Sequence, residues 1–181
     1  MNFTPVPLSG AYTIAPEVHT DQRGAFYRFF CKEEFGQIGH KAEWLQLNHS
    51  FTIKAGTVRG MHFQLPPHTE IKLVRCIAGR VFDVIVDLRS GSPTFLQWFG
   101  AELSGDNRLM MYIPEGFAHG FQTLTPDCEL IYHHSACYAA GSEGGLRWDD
   151  PALGIGWPLP LALISDRDRQ HPLLTPRFTG I

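Results

Sequence analysis

Two histidines lie in segments that could carry out proton chemistry or bind a metal ion. His62 belongs to the segment Arg59–Gln64 (RGMHFQ), and His119 lies between two phenylalanines in Ile113–Phe121 (IPEGFAHGF). An imidazole changes its protonation state near neutral pH and is also a common metal ligand, so both roles are open to each residue. A lone histidine in a strand is more often a core or surface group, and this plainer interpretation competes with both roles.

The spacing of possible ligands bears on the metal interpretation. The pattern P-x-G-x-x-H that ends at His119 resembles the second motif of cupins. Metal-dependent cupins add an H-x-H pair and a following Glu, because imidazole and carboxylate together suit such divalent ions. Here Gln64 stands at the second position of the pair, and His68 follows two prolines, where strand geometry cannot be assumed. The sequence therefore favours a metal-free barrel in which His62 accepts a proton. A metal-dependent cupin oxygenase or isomerase and a catalytically silent sugar-binding cupin are the alternatives.

Short runs rich in β-branched and aromatic residues make up most of the chain, and glycines and prolines separate them. Arg80–Leu88 alternates with the period of a strand, and Ala78-Gly79 before it suits a hairpin turn. Helical periodicity is limited to Lys32–Gly39 and Ser165–Arg169. These patterns predict an all-β sandwich or jelly roll with short peripheral helices. The predicted strands are Phe26–Phe30, Glu43–Asn48, Thr57–Phe63, Lys72–Ile77, Arg80–Leu88, Phe95–Ala101, Arg108–Ile113, Phe117–Leu124 and Cys128–His134.

The composition indicates one folded domain, residues 1–181. Apolar residues make up 44% of the chain and charged residues 18%, which disfavours disorder. A net charge of −3 without a basic run argues against nucleic-acid binding. The sequence contains no apolar run of about 20 residues, no secretion signal and no CxxC pair among its four cysteines. We therefore expect a cytoplasmic protein with reduced thiols and no membrane partner.

Several segments resemble, in order and spacing, the dTDP-4-dehydrorhamnose 3,5-epimerase family. The resemblance extends over nearly the whole chain, from about residue 8 to residue 172. It implies a double-stranded β-helix, a cupin-like jelly roll that needs no metal or other cofactor. The segments are Asp21–Phe26, Gln46–Asn48 with Ser50, Val58–Gln64, Lys72–Arg75, Gly79–Arg89, Ser92–Phe95, Ile113–Phe121, Tyr132 with Tyr138, and Arg147–Pro151.

The resemblance also implies a reaction and four catalytic residues. The family's substrate is a nucleotide-linked 4-keto-6-deoxyhexose, whose ketone acidifies the protons on C3 and C5. His62 would remove the proton, with Asp168 behind it; the choice of Asp168 over Asp166 comes from the family pattern alone. Tyr132 would deliver a proton to the opposite face, and Lys72 would stabilise the enolate oxygen. The implied reaction converts dTDP-4-dehydro-6-deoxy-D-glucose to dTDP-4-dehydro-L-rhamnose. A mono-epimerase that inverts only one centre would share these residues and is the alternative.

Further positions match substrate contacts of the family. Arg23, Arg59 and Arg167 match contacts to the substrate, and the planar guanidinium suits the diphosphate. The other matches are His119 near the sugar, Gln46 and Asn48 at the nucleotide, Glu143 at another binding position, and Tyr138 stacked on the base.

One position departs from the family pattern. Arg28 stands where the family commonly has a Glu, in Gly24–Arg28 (GAFYR). The resemblance further implies a homodimer in which the segment around Arg23 to Arg28 is exchanged and completes the partner's pocket. We therefore count Arg28 among the substrate-binding positions and predict an altered preference for the nucleotide base or the sugar.

Overall fold

The computed structural model describes residues 1–181 and consists mainly of antiparallel strands. The helices are α1 (Lys32–Gly36) and α2 (Asp166–Arg169), with a 3-10 turn at Ala140–Ser142. The strands, in chain order, are β1 (Asn2–Pro5), β2 (Tyr12–Ala15), β3 (Val18–Asp21), β4 (Gly24–Tyr27), β5 (Gln46–Thr52), β6 (Val58–Gln64), β7 (Lys72–Ala78), β8 (Arg80–Asp87), β9 (Trp98–Ser104), β10 (Met110–Ile113), β11 (Phe117–Thr123), β12 (Cys128–His134) and β13 (Glu143–Gly145).

Two sheets face each other and form a cupin-like jelly roll. The six-stranded sheet has the order β1-β2-β10-β7-β12-β5, and the five-stranded sheet has the order β13-β6-β11-β8-β9. The strands β3 and β4 pair only with each other and form a separate hairpin. The predicted all-β fold with short peripheral helices is confirmed. No helix in the chain has the length and apolar character required to span a bilayer.

Buried side chains from both sheets form the main core between them. Val74 and Leu130 come from the six-stranded sheet, and Val81 and Ile85 come from the five-stranded sheet. The alternate side chains of β8, among them Val84, belong to a second buried cluster with Met61, Leu146 and Leu153. Both faces of β8 are therefore buried. One face is apolar, whereas the other carries the buried Asp83 and Asp87 beside Val81 and Ile85.

Four of the predicted strands had wrong boundaries because of local backbone conformation or tertiary pairing. The strand predicted from Phe95 begins at Trp98, because Leu96 has a φ of 60°. The strand predicted from Arg108 begins at Met110, because Arg108 has a φ of 56°. The strand predicted as Phe26–Phe30 is β4 (Gly24–Tyr27), which begins earlier because it pairs with β3. The strand predicted from Glu43 is β5, which begins at Gln46, where its pairing with β12 begins.

The prediction of a hairpin at Ala78-Gly79 was also wrong. The strand β7 pairs with β10 and β12, whereas β8 pairs with β11 and β9. The chain therefore crosses from one sheet to the other at Gly79. The strands β1, β2, β3 and β13 were not predicted. Each has only three or four residues, and all but the β3–β4 pair depend on partners distant in the chain.

Candidate active site

A cavity of about 840 Å³ opens between the two sheets and the segment that contains α2. Strands β5, β6, β7, β11 and β12 contribute side chains to its wall. All four predicted catalytic residues line it. Four of the predicted binding residues also line it. In chain order these eight are Asn48, Arg59, His62, Lys72, His119, Tyr132, Arg167 and Asp168.

His62 and Asp168 form a hydrogen-bonded pair at the cavity wall. Nε2 of His62 lies 2.7 Å from Oδ1 of Asp168, and Oδ2 accepts a hydrogen bond from the Gly60 N–H at 3.1 Å. Burial alone would raise the pKa of Asp168, but the hydrogen bond from His62 and its charge outweigh burial and lower it. The carboxylate is therefore ionised and accepts the proton on Nε2. Nδ1 of His62 keeps its lone pair and can act as a base.

The one-turn helix α2 places Asp168 behind His62. Ser165 caps this helix, since its Oγ accepts a hydrogen bond from the backbone N–H of Asp168 at 3.0 Å. Asp168 consequently points inward and is buried, whereas Asp166 is exposed. The geometry therefore selects Asp168 over Asp166 as the partner of His62.

A β-bulge in β6 brings Arg59 and His62 to the same cavity. Strict alternation predicts these residues on opposite faces, and that prediction was wrong. His62 lies opposite His119 in β11 and Arg59 lies opposite Phe121, so β6 holds one extra residue between these two pairs. Gly60 lies in this stretch with φ of 121°, and a Cβ there would be 2.5 Å from the Cα of Gly120. Only a glycine allows this close approach of the two strands.

Tyr132 extends from β12 into the same cavity as His62. Its Oη lies 2.9 Å from Oγ of Ser50 on β5, and its ring lies edge-on to His119 with 6.1 Å between centroids. Burial raises the pKa of Tyr132, so the phenol stays protonated at neutral pH. Ser50 was part of a recognised segment but was assigned no role. Its contact with Tyr132 fixes the position of the phenol oxygen in the structure.

Lys72 belongs to a buried network that the sequence analysis missed. Its Nζ lies 3.1 Å from Oε1 of Glu70, and Oε2 of Glu70 lies 2.7 Å from Nδ1 of His134. Burial would raise the pKa of Glu70, but its contacts with His134 and Lys72 lower it. Glu70 therefore holds the ammonium group of Lys72 at the cavity. His134 lies two residues after Tyr132 in β12, so the period of the strand could have revealed it, whereas Glu70 lies before the start of β7.

Another imidazole–carboxylate pair, His119–Asp83, lies next to His62. Nε2 of His119 is 2.7 Å from Oδ1 of Asp83, and both side chains are buried. The other oxygen of Asp83 has no hydrogen-bond partner. The sequence analysis assigned no function to Asp83. An acidic residue within the apolar run of β8 was the signal that could have identified it.

Other predicted binding residues are connected to the lining of the cavity by hydrogen bonds and an ion pair. Tyr138 donates a hydrogen bond from Oη to Glu143 at 2.6 Å, and Arg167 forms an ion pair with the same carboxylate. Gln46 accepts a hydrogen bond from the Tyr138 N–H at 3.0 Å and donates one to Asn48 at 3.1 Å. These side chains thus form one connected rim, and the Tyr138 ring stays 55% exposed and accessible to a ligand.

Arg23 and Arg28 lie away from the cavity of their own chain. Arg23 is in the turn between β3 and β4, pairs with Asp21 and has a side chain 90% exposed. Arg28 forms an ion pair with Glu34 of α1 at 2.5 Å. Neither residue lines the cavity, so within one chain the structure does not bring them together with the other predicted site residues.

Comparison with known proteins identifies relatives over almost the whole chain. The sequence profile of a family described as dTDP-4-dehydrorhamnose 3,5-epimerase matches residues 5–176. A protein of that name from Shigella flexneri is 42% identical over 169 residues, which cover 93% of each chain. A dTDP-4-dehydrorhamnose 3-epimerase from Streptomyces niveus is 38% identical and covers 96% of this chain and 84% of its own.

The fold is also similar to a solved structure of the same name. The crystal structure of dTDP-4-dehydrorhamnose 3,5-epimerase from Bacillus anthracis, with TDP and PPi bound, superposes with a TM-score of 0.93 and 39% sequence identity. The alignment covers 96% of this chain and 99% of the other. The family resemblance found in the sequence is thereby confirmed. This chain belongs to the dTDP-4-dehydrorhamnose 3,5-epimerase family.

Proposed function

We propose that this protein inverts C3 and C5 of dTDP-4-dehydro-6-deoxy-D-glucose and so produces dTDP-4-dehydro-L-rhamnose. The observation that carries the proposal is the shared cavity of the His62–Asp168 pair, Tyr132 and Lys72. A base, an acid and a cation for a developing oxyanion are the three groups that inversion next to a ketone requires. The names of the relatives support the same substrate.

His62 performs the first proton transfer. Nδ1 takes the proton from the carbon next to the ketone, and the electron pair of the C–H bond moves into an enolate whose negative charge lies on the C4 oxygen. The carboxylate of Asp168, 2.7 Å from Nε2, stabilises the imidazolium that forms. Lys72 stabilises the enolate oxygen, and a preorganised donor of this kind contributes about 3–4 kcal/mol to the barrier reduction.

Tyr132 completes the inversion. Its phenol transfers a proton to the carbon from the face opposite His62, and the resulting phenolate is balanced by the proton on His62. Exchange of both groups with solvent restores the starting state. The rim of Gln46, Asn48, Tyr138 and Glu143 contacts the nucleotide, and Arg59 and Arg167 contact the diphosphate. His119 contacts the sugar.

Inversion of one centre is the second candidate, because a relative that is 38% identical is named a 3-epimerase. Solvent deuterium separates the two. The protein is incubated in D₂O with dTDP-4-dehydro-6-deoxy-D-glucose, and the sugar is analysed by NMR. Deuterium at both C3 and C5 is expected, whereas label at C3 alone would identify a mono-epimerase. A His62→Ala variant that keeps its fold but introduces no label is the control, and label introduced at the wild-type rate would exclude His62 as the base.

We also infer a homodimer in which the β3–β4 hairpin completes the partner's cavity. Phe26 on this hairpin is 77% exposed, and Leu47 and Ile53 at the edge strand β5 are 61% and 69% exposed. These apolar side chains and the exposed Arg23 favour contact with a second copy. The expectation of a cytoplasmic location remains a prediction.

Complementation tests whether Arg23 acts in the partner's site. An Arg23→Ala chain and a His62→Ala chain are each expected to be nearly inactive. In a co-expressed heterodimer with exchanged hairpins, one cavity contains an intact His62 and receives an intact Arg23, so activity returns. If Arg23 acts within its own chain, every site carries a defect and the mixture stays inactive. Light scattering of the wild type gives the mass, and a monomer would refute the inference.

The nucleotide preference at Arg28 is tested by calorimetry. Titration with dTDP and other nucleoside diphosphates compares the wild type with Arg28→Glu, which restores the common family residue. We expect a weaker preference for dTDP in the wild type than in the variant. Equal and tight preference for dTDP in both proteins would refute the altered specificity.

A further inference from the structure

A third histidine lies against the His62–Asp168 pair and takes no part in the proposed proton transfers. Nε2 of His171 is 3.9 Å from Oδ1 of Asp168, and its ring lies at 75° to the His62 ring with 6.0 Å between centroids. This nitrogen is buried and has no hydrogen-bond partner. A buried polar atom without a partner costs about 1–3 kcal/mol, so its position calls for a physical reason.

The ring of His171 occupies space that a glycine leaves open. Gly145 on β13 lies opposite His62 in the sheet, and a Cβ at this position would be 2.1 Å from Nε2 of His171. Any other residue at position 145 would displace the imidazole. The unpartnered nitrogen is therefore held in place by packing.

The three side chains form a set of ligands for a transition metal. One possible ligand atom from each of His62, Asp168 and His171 lies within 4.8 Å of the other two. Zinc binds imidazole nitrogen and carboxylate oxygen at about 2.0–2.2 Å, so donors around a tetrahedral ion are about 3.3 Å apart. The His62–Asp168 distance of 2.7 Å and the His171–Asp168 distance of 3.9 Å bracket that value. Two imidazoles and one carboxylate with an open fourth position suit zinc and related divalent ions.

We propose that His62, Asp168 and His171 form an inhibitory site for Zn²⁺ or a similar divalent transition metal. The ion replaces the proton on Nε2 of His62, and that proton leaves to solvent. The positive ion then binds the carboxylate of Asp168, and its charge disfavours a proton on Nδ1 of His62. Metal binding and proton removal from the sugar thus exclude each other. The inhibitory effect rests on the proposed function, whereas the binding site itself does not.

Calorimetric titration of the full chain with Zn²⁺, after removal of metal with a chelator, tests the site. We expect one ion per chain with micromolar affinity, and a loss of roughly tenfold or more in affinity for His171→Ala and His171→Gln. Circular dichroism verifies that the variants are folded, and Gln keeps most of the imidazole's volume. His68→Ala, which removes an exposed histidine outside the cavity, should bind as the wild type does. The absence of binding up to millimolar zinc, or unchanged affinity in both His171 variants, would refute the site.

Turnover measurements separate this proposal from the proposed function. Without metal, the His171 variants should turn over within a few-fold of the wild type. Micromolar Zn²⁺ should inhibit the wild type, and a chelator should reverse the inhibition, while the variants resist it. If zinc binds through His171 and turnover is not inhibited, the metal site stands and the assignment of His62 as the base fails.

Discussion

Replacement of Asp168 by Asn tests which nitrogen of His62 carries the proton in the His62–Asp168 pair. The carboxylate accepts from His62 at 2.7 Å and from the Gly60 N–H at 3.1 Å, so both of its oxygens are acceptors. An amide has only one acceptor oxygen. If that oxygen faces Gly60, the amide NH₂ donates to Nε2 of His62. Since the imidazole can change its tautomer whereas the backbone N–H cannot, we expect this orientation in Asp168→Asn. The proton of His62 then resides on Nδ1, which can no longer act as a base.

The expected loss of kcat in Asp168→Asn follows from two effects. A hydrogen bond to a charged group contributes about 1.5–3 kcal/mol, and 1.36 kcal/mol corresponds to a tenfold change in rate, so loss of the carboxylate charge lowers kcat about 10- to 100-fold. The wrong tautomer adds to this loss, and the same replacement behind a catalytic histidine of a serine protease costs about 10⁴-fold. We expect kcat of Asp168→Asn to fall about 10³- to 10⁴-fold. KM should change only a few-fold, because the rim that contacts the nucleotide is unchanged.

Steady-state turnover and solvent deuterium incorporation measure the effect, with Asp168→Ala as the matched variant. Alanine removes the charge but places no donor against Nε2, so His62 can keep its catalytic tautomer. Its kcat should fall less than that of Asp168→Asn, by about 10- to 100-fold. Equal losses in the two variants would refute the tautomer argument. A loss below tenfold in a folded Asp168→Asn protein would refute the role of Asp168 altogether.

Three further predictions concern the rest of the cavity and the core. Tyr132→Phe should lower kcat about 10²- to 10⁴-fold while the dTDP affinity measured by calorimetry stays the same, and near-normal turnover would exclude the phenol as the acid. Glu70→Gln leaves the buried ammonium of Lys72 without its carboxylate, so urea titration should give a free energy of unfolding lower by about 3 kcal/mol or more; a change below about 1 kcal/mol would contradict the buried pair. Burial lowers the pKa of His40 from its ordinary value of 6.5, so the native state binds fewer protons than the unfolded chain below that pH. The free energy of unfolding should therefore be retained well above pH 6.5 and decrease as the pH falls through 6.5 and below, with a smaller decrease for His40→Gln; the same decrease in both proteins would contradict this origin.

The central strands could be predicted because their sequence pattern matches their environment. In Arg80–Leu88 the period of two predicted a strand, and the structure has β8 at Arg80–Asp87, although both of its faces are buried. The short strands β1 and β2 were missed because each has only four residues, and the place of β2 in the sheet depends on its pairing with the distant strand β10. Leu96 and Arg108 interrupt otherwise strand-like runs by adopting positive φ, a conformation that their residue types do not indicate.

The sequence analysis identified individual residues of the site more completely than the contacts between them. Resemblance to the family identified His62 and Asp168, and the structure brings them into hydrogen-bond contact. The bulge near Gly60 brings Arg59 and His62 to the same cavity. It depends on the register between β6 and β11, so the alternation of residues along β6 does not predict it. Glu70, the buried partner of Lys72, was missed because it lies outside β7 and its contact with Lys72 forms only in the folded chain.

Two of the imidazole–carboxylate pairs of the cavity, His62–Asp168 and His119–Asp83, have the same contact distance but different surroundings, and this difference separates their roles. A base gains and loses a charge in every turnover, so its environment must accommodate both states. The side chain of His62 is 35% exposed to the cavity, whereas His119 is 6% exposed and contacts the fully buried Asp83. Repeated charging is costly at a buried position but tolerable at the open wall of the cavity. His62 is therefore suited to proton transfer, and His119 is suited to a fixed hydrogen bond with the sugar.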